Sequence, residues 1–157
     1  MPATSLRLDD YLPYLVNRTG ISLAAHFGQV LRRAGISLQD WRVLAALRER
    51  DGLRLTELAE RTSIEISTLS RLVSSMEAAG LVARQKDSGD ARAIALRLTP
   101  DGDALTLRLI PEALALEETA LAGLDAAEAA QLKALLIRAY RNLAAAGATG
   151  DSAETAP

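Results

Sequence analysis

The sequence predicts a mainly α-helical fold that carries one small β-hairpin. Apolar residues recur every three or four positions along most of the 157 residues, and the period falls to two only between residues 81 and 98. The composition, 49% hydrophobic and 24% charged, is typical of a folded domain of this length. No stretch approaches the roughly 18 unbroken apolar residues that span a bilayer, and the first residues lack the apolar core of a secretory signal. We therefore expect a single cytoplasmic domain.

The first half of the chain has the pattern of four helices. They are predicted at residues 9–33, 38–50, 56–61 and 65–79. Ser37 and Thr56 are the predicted N-caps of the second and third helices, because a short hydroxyl can accept a hydrogen bond from the first turn.

The fourth predicted helix has two distinct faces. One is apolar at helical spacing and consists of Leu69, Leu72, Val73 and Met76. The other is polar and mostly small, and consists of Ser67, Ser70, Arg71 and Ser74. Gly80 follows in the position where a left-handed residue commonly ends a helix. This separation predicts one buried side and one exposed side.

The second half begins with the hairpin. Residues 81–86 and 93–98 are the predicted strands, and the loop between them is polar. Two long helices are predicted to follow, at 100–123 and 126–144, and Thr99 is placed to cap the first of them. We expect disorder at both ends of the chain, in residues 1–8 and 147–157, which are small, polar and proline-containing.

The composition excludes most catalytic and metal chemistry. The chain has no cysteine, so disulfides, thiol catalysis and sulfur-bound metals are excluded. His26 is the sole histidine, which excludes a histidine-rich zinc site or a histidine-dependent triad within one chain. The carboxylates lack the spacing of a calcium loop. We therefore expect no metal and no cofactor, and the composition leaves a binding protein or a helical enzyme of unusual chemistry.

The net charge of −2 is unevenly distributed along the chain. Residues 1–40 carry 4 basic and 3 acidic groups, residues 41–98 carry 10 and 8, and residues 99–157 carry 4 and 9, giving +1, +2 and −5. The hairpin and the helices before it are thus the more basic part. Sixteen of the 18 cationic residues are arginine, which suits forked contacts to phosphate and guanine, although codon composition alone can produce this bias.

The middle of the chain has the pattern of a winged helix-turn-helix. Its predicted elements are a short helix, a turn, a second helix with a small polar face, and a hairpin with an arginine near its tip. A helix that enters the major groove needs short outer side chains with one or two long donors, and Ser67, Ser70, Ser74 and Arg71 meet that need. The unpaired N–H groups at the start of this helix, with the Thr68 hydroxyl, are predicted to bind a phosphate.

The hairpin supplies the predicted wing. Arg92 is the candidate for insertion into the minor groove, and Asp90 could pair with it or brace the loop. Arg84 and Lys86 on the first strand either contact DNA or serve the structure, since a strand arginine often makes only an internal salt bridge.

These residues resemble the MarR family of bacterial transcriptional regulators. The resemblance rests on Leu55-Thr56-Glu57-Leu58-Ala59, Thr68-Leu69-Ser70-Arg71-Leu72-Val73, Gly80-Leu81-Val82, Arg84, and Asp90-Ala91-Arg92 followed by Leu98-Thr99 and Gly102. It implies a homodimer that binds a pseudo-palindromic DNA site. It assigns residues 9–36 and 100–146 to dimerisation helices that interlock, and residues 37–99 to the DNA-binding lobe. The chain departs from the family at Glu65 and Ile66, where a serine followed by a basic residue is frequent.

The resemblance also implies a small-molecule effector, often a phenolic or aromatic carboxylate or its coenzyme A thioester, that releases DNA. Tyr11, Tyr14 and Arg18 fall within about 60° of one another on a helical wheel, with His26 two turns on, and Trp41 could form an apolar wall. The alternative is that Arg18 pairs with an acid across the dimer and His26 is a core residue. We expect a ligand-responsive repressor that carries out no catalysis. The competing hypotheses are a constitutive DNA-binding protein, and an enzyme or a non-catalytic interaction module that shares the fold.

Overall fold

The computed structural model describes residues 6–86, 89 and 92–150, with side chains as far as residue 146. The elements, after a 3-10 turn at Leu8–Asp10, are α1 (Leu12–Arg33), α2 (Leu38–Glu49), α3 (Leu55–Thr62), α4 (Ile66–Ala78), β1 (Val82–Lys86), β2 (Ile94–Leu98), α5 (Pro100–Ala120) and α6 (Ala126–Gly150). This order confirms the predicted mainly α fold with one hairpin. The chain divides into two compact units between Glu117 and Glu118.

Local capping chemistry sets most of the helix starts. The Ser37 hydroxyl accepts from the backbone N–H of Asp40 at 3.1 Å, and the Asp40 carboxylate accepts from the Ser37 N–H at 2.7 Å, so α2 begins with the predicted cap. The predicted cap of α3 was wrong. Glu57 accepts from the Arg54 N–H at 2.8 Å, which makes Arg54 the N-cap and leaves Thr56 inside the first turn.

The core of the first unit lies between the second half of α1, helices α2 to α4, the hairpin and the first half of α5. Its most deeply buried side chains are Leu31, Val43, Leu44, Leu47, Leu53, Leu58, Leu69, Val73, Val82 and Leu96. Burial of one such side chain stabilises the fold by about 1.5–3 kcal/mol. The apolar stripe of α4 faces this core, so its polar stripe faces outward, as its spacing predicts.

The hairpin pairs β1 with β2 in antiparallel register, from Val82 opposite Leu98 to Lys86 opposite Ile94. Leu53 adds a bridge on the other side of β2, where the Leu96 N–H donates to the Leu53 carbonyl at 2.8 Å. Ile94 is 49% exposed, because it lies at the far end of the hairpin beyond the reach of the core. Residues 87, 88, 90 and 91 lie outside the described part of the chain.

A close junction connects the end of α4 to the start of α5. Gly80 has φ +72° and completes a Schellman motif, in which the Leu81 N–H donates to the Met76 carbonyl at 2.9 Å. Thr99 caps α5 as predicted: its hydroxyl accepts from the Gly102 N–H at 3.0 Å and donates to the Gly80 carbonyl at 2.6 Å. Gly102 packs directly on the backbone of Leu81, where a Cβ atom would collide with the carbonyl oxygen.

Helix α6 is the main element of the second unit. It begins at the capping box of Asp125 and Glu128 and runs to Gly150, beyond the predicted end at 144. Its large apolar side chains are exposed within the chain. None of the described helices is long and apolar enough to cross a membrane. Of the two ends predicted to be disordered, residues 1–8 and 147–157, the parts 1–5 and 151–157 lie outside the described residues, whereas residues 147–150 belong to α6 and Leu8 begins the 3-10 turn.

Candidate nucleic-acid interface

The start of α4 is closed by a side chain from its own N-cap. The Glu65 carboxylate accepts from the backbone N–H of Ser67 at 2.9 Å and of Thr68 at 3.0 Å, and the Ser67 hydroxyl donates to the same carboxylate. The hydrogen bonds from Ser67 and Thr68 lower the pKa of Glu65 to about 2. The prediction that these N–H groups bind a phosphate is therefore wrong, because they already donate to the Glu65 carboxylate.

The polar stripe of α4 lies at the surface. Ser67, Arg71 and Ser74 are exposed, and Thr68 and Ser70 are half-buried. The Arg71 side chain makes no hydrogen bond or ion pair with any residue that the structure describes. A guanidinium in this state can form a bidentate contact without first breaking an internal one.

Arg84 connects the wing to α4. Its guanidinium forms an ion pair with Glu77 and donates to the Ser74 hydroxyl at 3.1 Å, and that hydroxyl donates to the Ser70 carbonyl at 3.0 Å. This geometry favours the internal salt bridge over a DNA contact for Arg84. Sequence reasoning missed Glu77, since nothing local shows that a strand residue seven positions later will fold back onto it.

The far end of the wing carries two of the predicted DNA-contacting cations. Lys86 and Arg92 are both exposed, and they lie on opposite sides of the loop between β1 and β2. Asp90, the predicted partner of Arg92, lies outside the described residues. The tip of the wing thus carries two exposed cations, and the pairing of Arg92 with Asp90 stays a prediction.

Ion pairs occupy several other arginines of the lobe. Arg48 pairs with Asp103 at 2.8 Å, Arg61 with Glu49 at 2.7 Å, and Arg97 with Asp51. These pairs link α2 to α5 and to α3, and the turn after α2 to β2. Because these cations have internal partners, they are less available to an external anion than Arg71 is.

The predicted effector residues fall into separate places. Tyr14 and Arg18 line a cleft of about 260 Å³ with Asn17 and Ile21. Tyr11 is 42% exposed at the N-cap of α1. His26 is also exposed, with its Nδ1 atom 2.8 Å from the Ser22 carbonyl.

Trp41 belongs to the packing around the core. Its ring meets the edge of Phe27 with centroids 5.3 Å apart, and it is half-buried. Neither Trp41 nor His26 lines the Tyr14 cleft.

A second cleft of about 330 Å³, absent from the sequence reasoning, lies between α1 and α5. Arg33, Arg108 and Glu112 line it over a floor of Val30, Ala34, Leu105 and Leu109. Arg108 and Glu112 make no side-chain hydrogen bond or ion pair with the described residues. Two guanidinium groups over an apolar floor suit a planar carboxylate.

Comparison with known proteins identifies the family. The model of the MarR family matches residues 34–93. The HTH-type transcriptional repressor Rv2887 of Mycobacterium tuberculosis is 30% identical over 128 residues, which cover 82% of this chain and 92% of that protein. The chain belongs to the MarR family of transcriptional regulators. The HTH-type transcriptional regulator FarR of Neisseria gonorrhoeae is 36% identical over 84 residues, 54% of this chain and 58% of that relative.

Solved structures of MarR-family proteins share the fold. A family member from Silicibacter pomeroyi matches with a TM-score of 0.78 and 33% identity, over 87% of this chain and 92% of that one. BpsR of Bordetella bronchiseptica, whose DNA binding is regulated by 6-hydroxynicotinic acid, matches with a TM-score of 0.77 and 26% identity, over 87% of this chain and 97% of that one. NadR in complex with 4-hydroxyphenylacetate matches with a TM-score of 0.77 and 28% identity, over 88% of this chain and 96% of that one. This MarR-family chain is therefore a winged-helix regulator and not an enzyme.

Proposed function

We propose that this MarR-family regulator is a cytoplasmic repressor that binds a pseudo-palindromic operator as a homodimer and is released by an aromatic acid or its coenzyme A thioester. The observation that carries the proposal is the exposed Arg71 side chain, which stands among small polar residues on the outer face of α4. The core behind α4 fixes the direction of that face. A rigid helix with one long, uncommitted donor is what major-groove reading requires.

In the proposed complex, Arg71 reads a base edge and Ser67, Thr68 and Ser70 allow the helix to approach the groove closely. Arg92 enters the adjacent minor groove, and Lys86 contacts a phosphate. Ser74 and Arg84 support the helix and the wing through their mutual hydrogen bond.

Exposed apolar side chains support dimer formation. The first half of α1 exposes Leu12, Leu15, Val16 and Ile21 by 42–67%, and α6 exposes Leu132, Leu135, Leu136, Tyr140 and Leu143 by 40–74%. Apolar stripes of this extent on a soluble protein are typical of interaction surfaces. In a two-fold symmetric dimer the two α4 helices would read half-sites about one DNA turn apart.

The effector proposal rests on the Tyr14 cleft. Arg18 could bind a ligand carboxylate in a forked contact, and Tyr14 could pack on the ring. The 4-hydroxyphenylacetate in complex with NadR and the 6-hydroxynicotinic acid that regulates DNA binding by BpsR belong to the same chemical class. An effector releases DNA only when it binds the DNA-incompetent conformation more tightly, with a typical coupling of about 1–3 kcal/mol.

A salt titration tests the proposed DNA binding. Affinity for the region upstream of the regulator's own gene should exceed affinity for random duplex and should fall steeply with KCl concentration. Arg92→Ala should lower the slope of log K against log [KCl] by about one unit, and Arg71→Ala should cost about 1–3 kcal/mol of operator binding. Arg138→Ala, an equal charge change on α6, is the control. Equal affinity for both duplexes would instead favour a non-regulatory interaction module.

A further inference from the structure

Glu65 places a fixed negative charge at the tip of the DNA-reading helix. Three hydrogen bonds hold its carboxylate, from the N–H groups of Ser67 and Thr68 and from the Ser67 hydroxyl. The side chain is exposed, and its lowered pKa of about 2 keeps the carboxylate ionised at neutral pH.

A helix N-terminus normally attracts phosphate, because its first N–H groups lack partners and its dipole is positive. Here two of these N–H groups and the neighbouring hydroxyl already bind Glu65. A DNA phosphate at this position would have to displace the carboxylate, and it would be repelled by it.

We propose that Glu65 is a specificity-determining residue, whose carboxylate excludes backbone phosphate from the start of α4 and so weakens sequence-independent DNA binding. This inference rests on the proposed DNA-binding function. Non-specific affinity comes almost entirely from phosphate contacts, whereas base contacts provide the discrimination. A negative charge at the leading end of the helix therefore lowers non-specific affinity more than operator affinity, and it raises the ratio between them.

Two substitutions separate the effect of the Glu65 charge from the effect of the hydrogen bonds that occupy the N–H groups. Glu65→Gln removes the charge and keeps a side-chain acceptor at the cap. Glu65→Gly also frees the two N–H groups and the Ser67 hydroxyl, at a position where glycine is well tolerated. Glu60→Gln is the matched control, since Glu60 is an exposed carboxylate of α3 that makes no hydrogen bond or ion pair with the described residues.

The experiment measures the dissociation constants of the full-length variants for a random 30-bp duplex and for the upstream region, over a range of KCl concentrations. We expect Glu65→Gln to bind random duplex about fivefold more tightly, with a smaller gain on the operator. Glu65→Gly should gain more and steepen the salt dependence by about one unit for random duplex. Glu60→Gln should change neither constant.

The inference is overturned if Glu65→Gln leaves the affinity for random duplex unchanged or weakens it, and equally if both duplexes gain by the same factor. The last result would show a general charge effect without a change in discrimination. A wild-type protein with no preference for its upstream region would instead contradict the proposed function, while the comparison on random duplex would still report on phosphate exclusion by Glu65.

Discussion

Arg84 of β1 and Glu77 of α4 form an ion pair that joins the wing to the helix that we propose reads DNA. The same guanidinium donates to Ser74, so the wing strand contacts two successive turns of the helix. Both members of the ion pair are about one-third or more exposed, which limits their contribution to overall stability. The pair holds the wing strand against the end of α4.

The wing connection predicts that Arg84→Gln and Glu77→Gln weaken operator binding alike. Each should lower affinity about three- to tenfold, because a wing without its brace places Arg92 less accurately. The double variant should be no weaker than either single one, since the two substitutions break the same interaction. Fluorescence anisotropy on operator DNA measures all three. If Arg84→Gln alone weakens binding and also lowers the salt slope, Arg84 contacts phosphate directly.

The contact between Gly102 and Leu81 predicts a sharp penalty for a single added methyl group. Gly102→Ala should destabilise the protein by about 1–3 kcal/mol, because the new Cβ would meet a backbone oxygen that cannot move aside easily. Gly20→Ala is the matched control within α1, where the new Cβ meets no atom within 4 Å. It should instead stabilise by about 0.5–1 kcal/mol. Urea unfolding distinguishes the two, and a loss of similar size in both would refute the steric argument.

The effector clefts predict different phenotypes for two arginines. If Arg18 binds the effector carboxylate, Arg18→Ala should retain operator affinity and lose release by 4-hydroxyphenylacetate or 6-hydroxynicotinate. Arg108→Ala, in the cleft between α1 and α5, should then leave release intact. The opposite pattern would move the effector site to the Arg33 and Arg108 cleft. Loss of DNA binding in Arg18→Ala would favour a structural ion pair across the dimer.

The cap of α4 predicts a pH dependence of stability. The folded-state pKa of Glu65, about 2, lies below its ordinary value of 4.5, so its stabilising contribution is fully present above pH 4.5 and is lost as the pH falls towards 2. The difference in unfolding free energy between wild type and Glu65→Gln should therefore be constant from pH 7 to about pH 5.5 and shrink below 4.5. The difference in unfolding free energy between wild type and Glu60→Gln should not shrink in this way. A difference that persists unchanged at pH 3 would contradict the assignment.

Elements that depend on neighbouring residues were predictable from the sequence. The caps at Ser37 and Thr99 and the buried stripe of α4 follow from spacings of three to seven residues. The family resemblance, which rested on short motifs around the wing, was confirmed by the relatives of similar length.

Features that depend on tertiary packing were missed. Arg33 and Arg108 are far apart in sequence and share a cleft only because α1 packs near α5. The pairing of Arg84 with Glu77 depends on the turn at Gly80 and the direction of β1. The glutamate cap was missed for a different reason: Glu65 is local, but its reach back to Ser67 and Thr68 depends on a side-chain conformation that spacing does not reveal.

The Thr99 hydroxyl has a mechanical consequence. Its two hydrogen bonds tie the Gly80 carbonyl, just beyond the end of α4, to the Gly102 N–H in the first turn of α5, and Gly102 packs directly on the Leu81 backbone. A tilt of α5 at its base would therefore carry the end of α4 with it. A displacement at the base of α5 would thus reach the end of α4 through one threonine.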